Sequence, residues 1–309
     1  MEQYHPIINF TYFCMVLGCS MFFMHPVCLS ISFFSAVCYA LHLFGWKKMR
    51  RGLAGILFLM AITAVINPAF SHQGVTFLAY LPTGNILTLE SIFYGIAAAC
   101  MLAAVLLWFR CMNKVVTADK IVYLFGKSFP VLGLILSMII GFIPKMQKKL
   151  REISLARKEI PTEIFQEKEE SSQKIQKRIS HAGKRKILNL QHSIENLSIL
   201  ITWALEDAVE TADSMKGRGY GLEGRTAFTT YRFTKRDGRM LLILFFEMGY
   251  QTLGNGTGGI AWDYYPETNG AVLGLYSVSI YLIYLCMCLT PLIVDGYEER
   301  KWNRLQSAI

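Results

Sequence analysis

The sequence predicts an all-α, polytopic membrane protein with about six transmembrane helices and two long amphipathic helices on the cytoplasmic side. Three observations support this class. Hydrophobic residues make up 53% of the 309-residue chain and charged residues only 17%, where a soluble domain carries about a quarter. Apolar runs of bilayer-crossing length, about 20 residues, recur along the chain. The charge is concentrated instead: residues 145–190 hold 13 Lys or Arg against 6 Asp or Glu, a balance of +7 within a formal +9.

Residues 7–24 and 26–44 form the first two candidate spans, separated only by His25-Pro26, where proline favours a turn. The first run lacks a positive leader and passes straight into the second, so it is expected to stay in the mature chain. Residues 53–70 and 91–109 give the third and fourth spans. The connection Trp46-Lys47-Lys48-Met49-Arg50-Arg51 carries four positive charges and is expected inside. Residues 67–90 contain no Lys or Arg and are expected outside, while residues 110–120 are basic again. Were the apolar run 121–143 to cross, the most basic segment would lie outside. Gly126, Lys127, Pro130 and Gly133 break it instead into two helices. A short one at 118–128 is expected to lie on the membrane surface. A longer one at 131–157 is expected to start at the membrane boundary and run into the cytoplasm. Its apolar positions Leu132, Ile135, Ile139, Phe142, Met146 and Ile153 keep mostly three- and four-residue steps.

Residues 160–186 are polar, with Glu-rich and Lys-rich patches, and read as a linker or a frayed hairpin. A second amphipathic helix is expected at 194–216, with Ile194, Leu197, Ile201, Leu205, Ala208, Ala212 and Met215 as its apolar stripe. Glu195, Glu206, Asp207, Glu210 and Asp213 lie off that stripe and read as a solvated face. Gly217, Gly219 and Gly221 stop the helix. Spans at 240–253 and 271–294 bring the total to six and leave both termini cytoplasmic. The chain thus divides into an N-terminal membrane region (1–112), a cytoplasmic region (113–238) and a C-terminal membrane hairpin with a short tail (239–309).

Several function classes find little here. The basic residues sit between apolar spans, so topology and anionic lipid explain them better than nucleic acid does. The eight cysteines lie within or at the ends of apolar stretches without a CxxC pair, and read as small packing residues. His25 and Cys28 lack a third ligand nearby, and no metal or cofactor is expected. There is no phosphate loop, HExxH or GxSxG, so no catalytic residue is assigned. Gly254-Asn255-Gly256-Thr257-Gly258-Gly259 fits GxGxxG but follows no strand, and reads as a flexible outside loop. Glu247 is the one acid inside a candidate span. It reads as near the interface of a short, tilted span, with a buried functional carboxylate as the alternative.

The two cytoplasmic helices end alike. The first closes on Ser154-Leu155-Ala156-Arg157-Lys158, and the second on Ser214-Met215-Lys216-Gly217-Arg218-Gly219-Tyr220-Gly221. Each presents an arginine where the helix dipole favours a cation. Small neighbours (Ala156, Gly217, Gly219) let a partner backbone approach, and the guanidinium fork can grip a carboxylate bidentately.

Ala208-Val209-Glu210-Thr211-Ala212-Asp213-Ser214-Met215-Lys216-Gly217-Arg218-Gly219-Tyr220-Gly221 resembles a signature of the transmembrane T component of energy-coupling factor transporters, related to the cobalt-transport permeases. Tyr231-Arg232-Phe233-Thr234-Lys235-Arg236-Asp237, Asn67-Pro68-Ala69-Phe70-Ser71-His72-Gln73-Gly74 and His25-Pro26 are similar to further stretches of that family. Gly217 stands where the family has alanine, Lys158 follows Arg157 where the family has Gly or Ser, and the 160–186 insert is long for it. The resemblance implies a non-catalytic coupling subunit in the cell membrane of a prokaryote, taking part in vitamin or metal-ion uptake. Two cytoplasmic ABC ATPases would grip Ala156, Arg157, Lys158, Gly217, Arg218 and Gly219. A membrane-embedded, substrate-binding S component would rest on Leu132, Ile135, Ile139, Ile194, Leu197, Ile201 and Leu205. The alternative is a self-sufficient secondary transporter or channel, for which the residues offer only Glu247.

Overall fold

The structure is a computed structural model that describes residues 4–71, 74–80, 86–159, 181–220, 222, 231–266, 268–270 and 274–307. The described residues form α1 (Pro6–Phe22), α2 (Pro26–Phe70), β1 (Phe77–Tyr80), β2 (Ile86–Thr88), α3 (Leu89–Val115), α4 (Ala118–Ser128) and α5 (Pro130–Glu159). After a gap follow α6 (His181–Gly217), α7 (Lys235–Gly256), β3 (Trp262–Asp263), β4 (Asn269–Gly270) and α8 (Leu275–Gln306). The fold is all-α apart from two antiparallel two-stranded ribbons, β1–β2 and β3–β4. It divides into two compact units, residues 1–124 with 230–309, and residues 125–229.

In the first unit, α1 and α2 start by the same device. His5-Pro6 and His25-Pro26 each put proline at the first helical position, where its missing N–H costs nothing. The preceding histidine caps: His5 Nδ1 accepts the Ile7 N–H at 3.3 Å, and His25 Nδ1 accepts the Val27 N–H at 3.2 Å. That acceptor role leaves the neutral His25 ring proton on Nε2, which donates to the Tyr281 hydroxyl at 3.0 Å. The basic connection at 46–51 is not a loop. Residues 46–51 are helical, and α2 consists of two helices that meet across a kink at Gly45, with φ 71°. Arg110 braces that kink, its guanidinium 4.7 Å from the Phe44 ring centre and donating to the Lys48 carbonyl at 3.5 Å.

The core gathers around Trp108, which lies fully buried among Tyr12, Phe13 and Tyr39, with ring centres 6.2–6.5 Å away. Its indole N–H donates to Ser32 Oγ at 3.0 Å; the Ser32 and Ser20 hydroxyls lie 2.6 Å apart, and Tyr284 closes the chain 3.4 Å from Ser20. Tyr12 donates to the Met287 carbonyl at 3.2 Å, so α1, α2, α3 and α8 share one satisfied polar network inside an apolar bundle. The most extensive helix pair is α2 with α3. A Cβ on Gly95 would lie 3.0 Å from both the Ala64 carbonyl and Pro68 Cδ, so the glycine lets these backbones meet.

Toward the end of α7, the glycine run is helix and turn rather than a flexible loop. Gly254–Gly256 close α7, and Gly254 and Gly259 press on Ile280 and Tyr276 of α8. At its other end α7 begins with a capping box. Thr234 Oγ1 accepts the Asp237 N–H, and the Asp237 carboxylate accepts the Thr234 N–H at 2.9 Å. Thr234→Ala should destabilise the protein by about 1 kcal/mol, read as a lowered thermal midpoint in detergent. Asp237→Asn, which keeps an oxygen for the Thr234 N–H, should cost less.

Five segments are long and apolar enough to cross a membrane: Pro26–Arg50, Gly52–Phe70, Leu89–Val115, Val131–Ala156 and Leu275–Gln306. These are compatible with a multi-pass membrane protein. α1, at 17 residues, is apolar but shorter, and α7 does not meet the same measure.

Candidate functional site at the ends and faces of α5 and α6

The second unit holds most of the residues singled out for function. The break in 121–143 falls where Gly126, Pro130 and Gly133 place it: α4 ends at Ser128 and α5 starts at Pro130. The two glycines are in contact, and a Cβ on Gly133 would overlap the Gly126 Cα. From there α5 runs 30 residues, about 45 Å at 1.5 Å per residue, through an apolar first half into a basic second half.

α6 begins at His181, well before the expected Ile194, so residues 181–186, read as linker or frayed hairpin, are helix. The rest of the predicted linker, residues 160–180, lies outside the described residues. α6 packs against α5 through Trp203 and Asp207, with Leu200 buried on the same side of the helix. Trp203 stacks on Phe142 with ring centres 6.1 Å apart and planes within 2°. Lys145 and Lys149 stand 5.7 and 5.6 Å from the Trp203 ring centre, and Lys145 pairs with Asp207. Asp207 is thus part of the helix contact rather than of a solvated face. Its ion pair adds little, because Lys145 is half exposed. The larger share comes from the ring, with each cation over it contributing about 0.5–1 kcal/mol.

The predicted apolar stripes take a different place. Leu132, Ile135 and Ile139 on α5 and Ile194, Leu197, Ile201 and Leu205 on α6 are all 44–65% exposed. No described residue covers them. An amphipathic helix that packs one face and leaves a second apolar face open has a further surface to bury.

α6 ends in a complete Schellman turn. The Tyr220 N–H reaches the Met215 carbonyl at 3.1 Å and the Gly219 N–H reaches the Lys216 carbonyl at 3.0 Å, around Gly219 at φ 75°. Leu222 folds back over Gly219, at 3.0 Å from its ideal Cβ position. Arg218 is the C-cap of this turn, beside the orphan carbonyls of the helix end. Its side chain is exposed and takes no hydrogen bond or ion pair among the described residues. The two flanking glycines separate in role. Gly219 is required by its backbone conformation, whereas a Cβ on Gly217 would meet nothing within 4 Å. Only Gly217 offers open space to an approaching partner.

At the end of α5, Ala156 is exposed and the helix continues through Glu159, so Arg157 and Lys158 lie within its last turn. The side chains of both lie outside the described residues. Trp203 is the residue of this unit that sequence reasoning missed. As the one tryptophan between residues 109 and 261 it was the available signal.

Outside this unit, Glu247 lies midway along α7 with Oε2 shielded from solvent and without a hydrogen-bond donor among the described residues. Gln251, one turn on, donates to the Ile280 carbonyl at 3.0 Å. Among the described residues no group of three or more His, Cys, Asp or Glu is arranged to hold a metal ion. No protein-family model matches the chain, and no curated protein matches it.

Proposed function

We propose that this chain is the non-catalytic transmembrane coupling subunit of an energy-coupling-factor-type ABC importer. In this reading α1, the two arms of α2, α3, α7 and α8 give six spans with both termini cytoplasmic. α4 lies at the membrane surface, and α5 and α6 reach into the cytoplasm of a prokaryotic cell. The supporting observation is the end of α6, a 37-residue helix that closes in a Schellman turn and offers Arg218, without a side-chain partner among the described residues, beside the open Gly217. A carboxylate in a groove of a cytoplasmic ATPase would meet that guanidinium as a charge-assisted, bidentate pair. Arg157 would serve the second ATPase in the same way.

The uncovered apolar face supplies the other half. An S component carrying a vitamin or metal ion would rest on Leu132, Ile135, Ile139, Ile194, Leu197, Ile201 and Leu205. ATP-driven closure of the two ATPases would move the tips of α5 and α6. Because Trp203 and Phe142 lock the helices together, that motion would pass along stiff rods to the face beneath the S component. The chain itself performs no bond chemistry; ATP hydrolysis belongs to its partners.

One observation favours a second reading, a self-sufficient secondary transporter or channel: the shielded oxygen of Glu247, without a partner among the described residues. Affinity purification of the tagged chain from its native membrane separates the two. The coupling reading expects ATPases bearing a phosphate-binding loop and a small membrane protein to co-elute. A chain that elutes alone, and that alone carries solute into proteoliposomes in a manner lost in Glu247→Gln, would overturn it.

A further inference from the structure

The connection between α2 and α3, expected outside, holds the β1–β2 ribbon, with Phe77 opposite Thr88 and Tyr80 opposite Ile86. Its root is fixed. The Glu90 carboxylate accepts both the Thr76 N–H at 3.2 Å and the Thr76 hydroxyl at 2.7 Å, and Ser91 donates to the Ser71 carbonyl at 3.0 Å. Glu90, itself buried, is the only Asp, Glu, Lys or Arg between Arg51 and Arg110.

The ribbon is rooted like a structural element yet is dressed for no aqueous setting. Val75 is 63% exposed, Phe77 54%, Leu78 49% and Tyr80 70%. The pairing slips between Phe77 and Ala79, so regular alternation is broken at Leu78, and β1 carries bare apolar groups on either side of the break. Phe77 and Tyr80 pair with ring centres 4.9 Å apart. An isolated two-stranded ribbon in water is marginal and gains nothing by showing such residues. Val65, Ile66 and Phe70 at the end of α2 and Phe93 at the start of α3 are exposed as well.

We infer that the β1–β2 ribbon is an interfacial anchor, seated in the headgroup and acyl boundary of the bilayer beside α2 and α3. The boundary is the depth that fits. The ribbon's outer edges leave backbone N–H and C=O groups unpaired, which hydrocarbon would penalise and the wet interface satisfies. Aromatic side chains with a polar tip, as Tyr80 has, favour that level. The inference rests on α2 and α3 crossing a bilayer, and is independent of any coupling role.

Photocrosslinking tests it. The full chain, in native membrane vesicles, carries p-benzoylphenylalanine in place of Phe77, of Tyr80, or of Phe58 as a reference within the second arm of α2, where 70% exposure leaves room. Size-exclusion profiles matching wild type show that each variant folds. The expected result is a mass shift of one phospholipid on the irradiated peptide at all three positions. A protein crosslink at 77 and 80, or no adduct there while position 58 yields one, would overturn the anchor and leave the bilayer placement standing. No lipid adduct at position 58 either would remove that placement and the anchor with it.

Discussion

On the coupling reading, Arg218→Ala should reduce ATP-driven uptake to background while leaving the chain folded in the membrane. The side chain is exposed and makes no bond among the described residues, so its removal costs the isolated fold nothing. A charged hydrogen bond contributes about 1.5–3 kcal/mol, and a partner carboxylate left buried without its cation costs more. Losing both fork contacts therefore weakens ATPase docking by one to several tenfold steps. Arg218→Lys keeps the charge but not the planar fork, and should restore only part of the uptake. Gly219→Ala provides the contrast. It keeps the guanidinium but forces a Cβ into φ 75°, at about 1 kcal/mol, and so should loosen the turn that aims it. Arg157→Ala should be similar or milder. The measurements are solute uptake into proteoliposomes and co-purification of the ATPases. Wild-type uptake in the Arg157→Ala, Arg218→Ala double variant would end the coupling reading, as would impermeant labelling of either position from outside.

Some elements stand almost to the residue where the sequence places them, and the reason is local chemistry. α4 ends at Ser128 and α5 starts at Pro130, because proline cannot continue a helix and two glycines permit the close fold-back. The end of α6 was legible for the same reason, though the two glycines divide between them the roles expected of both, with Gly219 serving the turn and Gly217 the open side. Other features depend on what neighbours supply. A cluster of Lys and Arg after Phe44 reads as a loop, yet Gly45 alone absorbs the change of direction and the helix resumes. α6 extends back to His181 through residues without an apolar stripe, since adding a residue to an existing helix is far easier than starting one. β1 and β2, at four and three residues, are too short for a period to show. Periodicity also found the apolar face of α6 without revealing that a different face, through Leu200 and Trp203, meets α5. That gap is physical. An apolar stripe states that something must cover it, and only packing shows whether the chain does so itself.

The strongest test of the bundle is Trp108→Ala. Trp108 belongs to α3, yet its ring meets Tyr12 and Phe13 of α1 and Tyr39 of α2, and its N–H anchors the Ser32, Ser20 and Tyr284 chain. Cutting it to alanine opens a void at a point where side chains of three helices meet. In soluble cores such a change costs about 3–5 kcal/mol. Within a bilayer the unfolded reference is itself apolar, so the lost term is packing and not transfer from water, and the lower end, about 3 kcal/mol, applies. Trp108→Phe separates the components. It keeps most of the ring contacts but leaves Ser32 without its indole donor, at about 1 kcal/mol. The two variants should therefore fall in order, alanine well below phenylalanine and phenylalanine below wild type, in thermal unfolding of the detergent-solubilised protein. If alanine melted level with wild type, the aromatic cluster would not be what holds α1, α2 and α3 together. If phenylalanine fell as far as alanine, the hydroxyl chain would carry the stability and the rings would be filler.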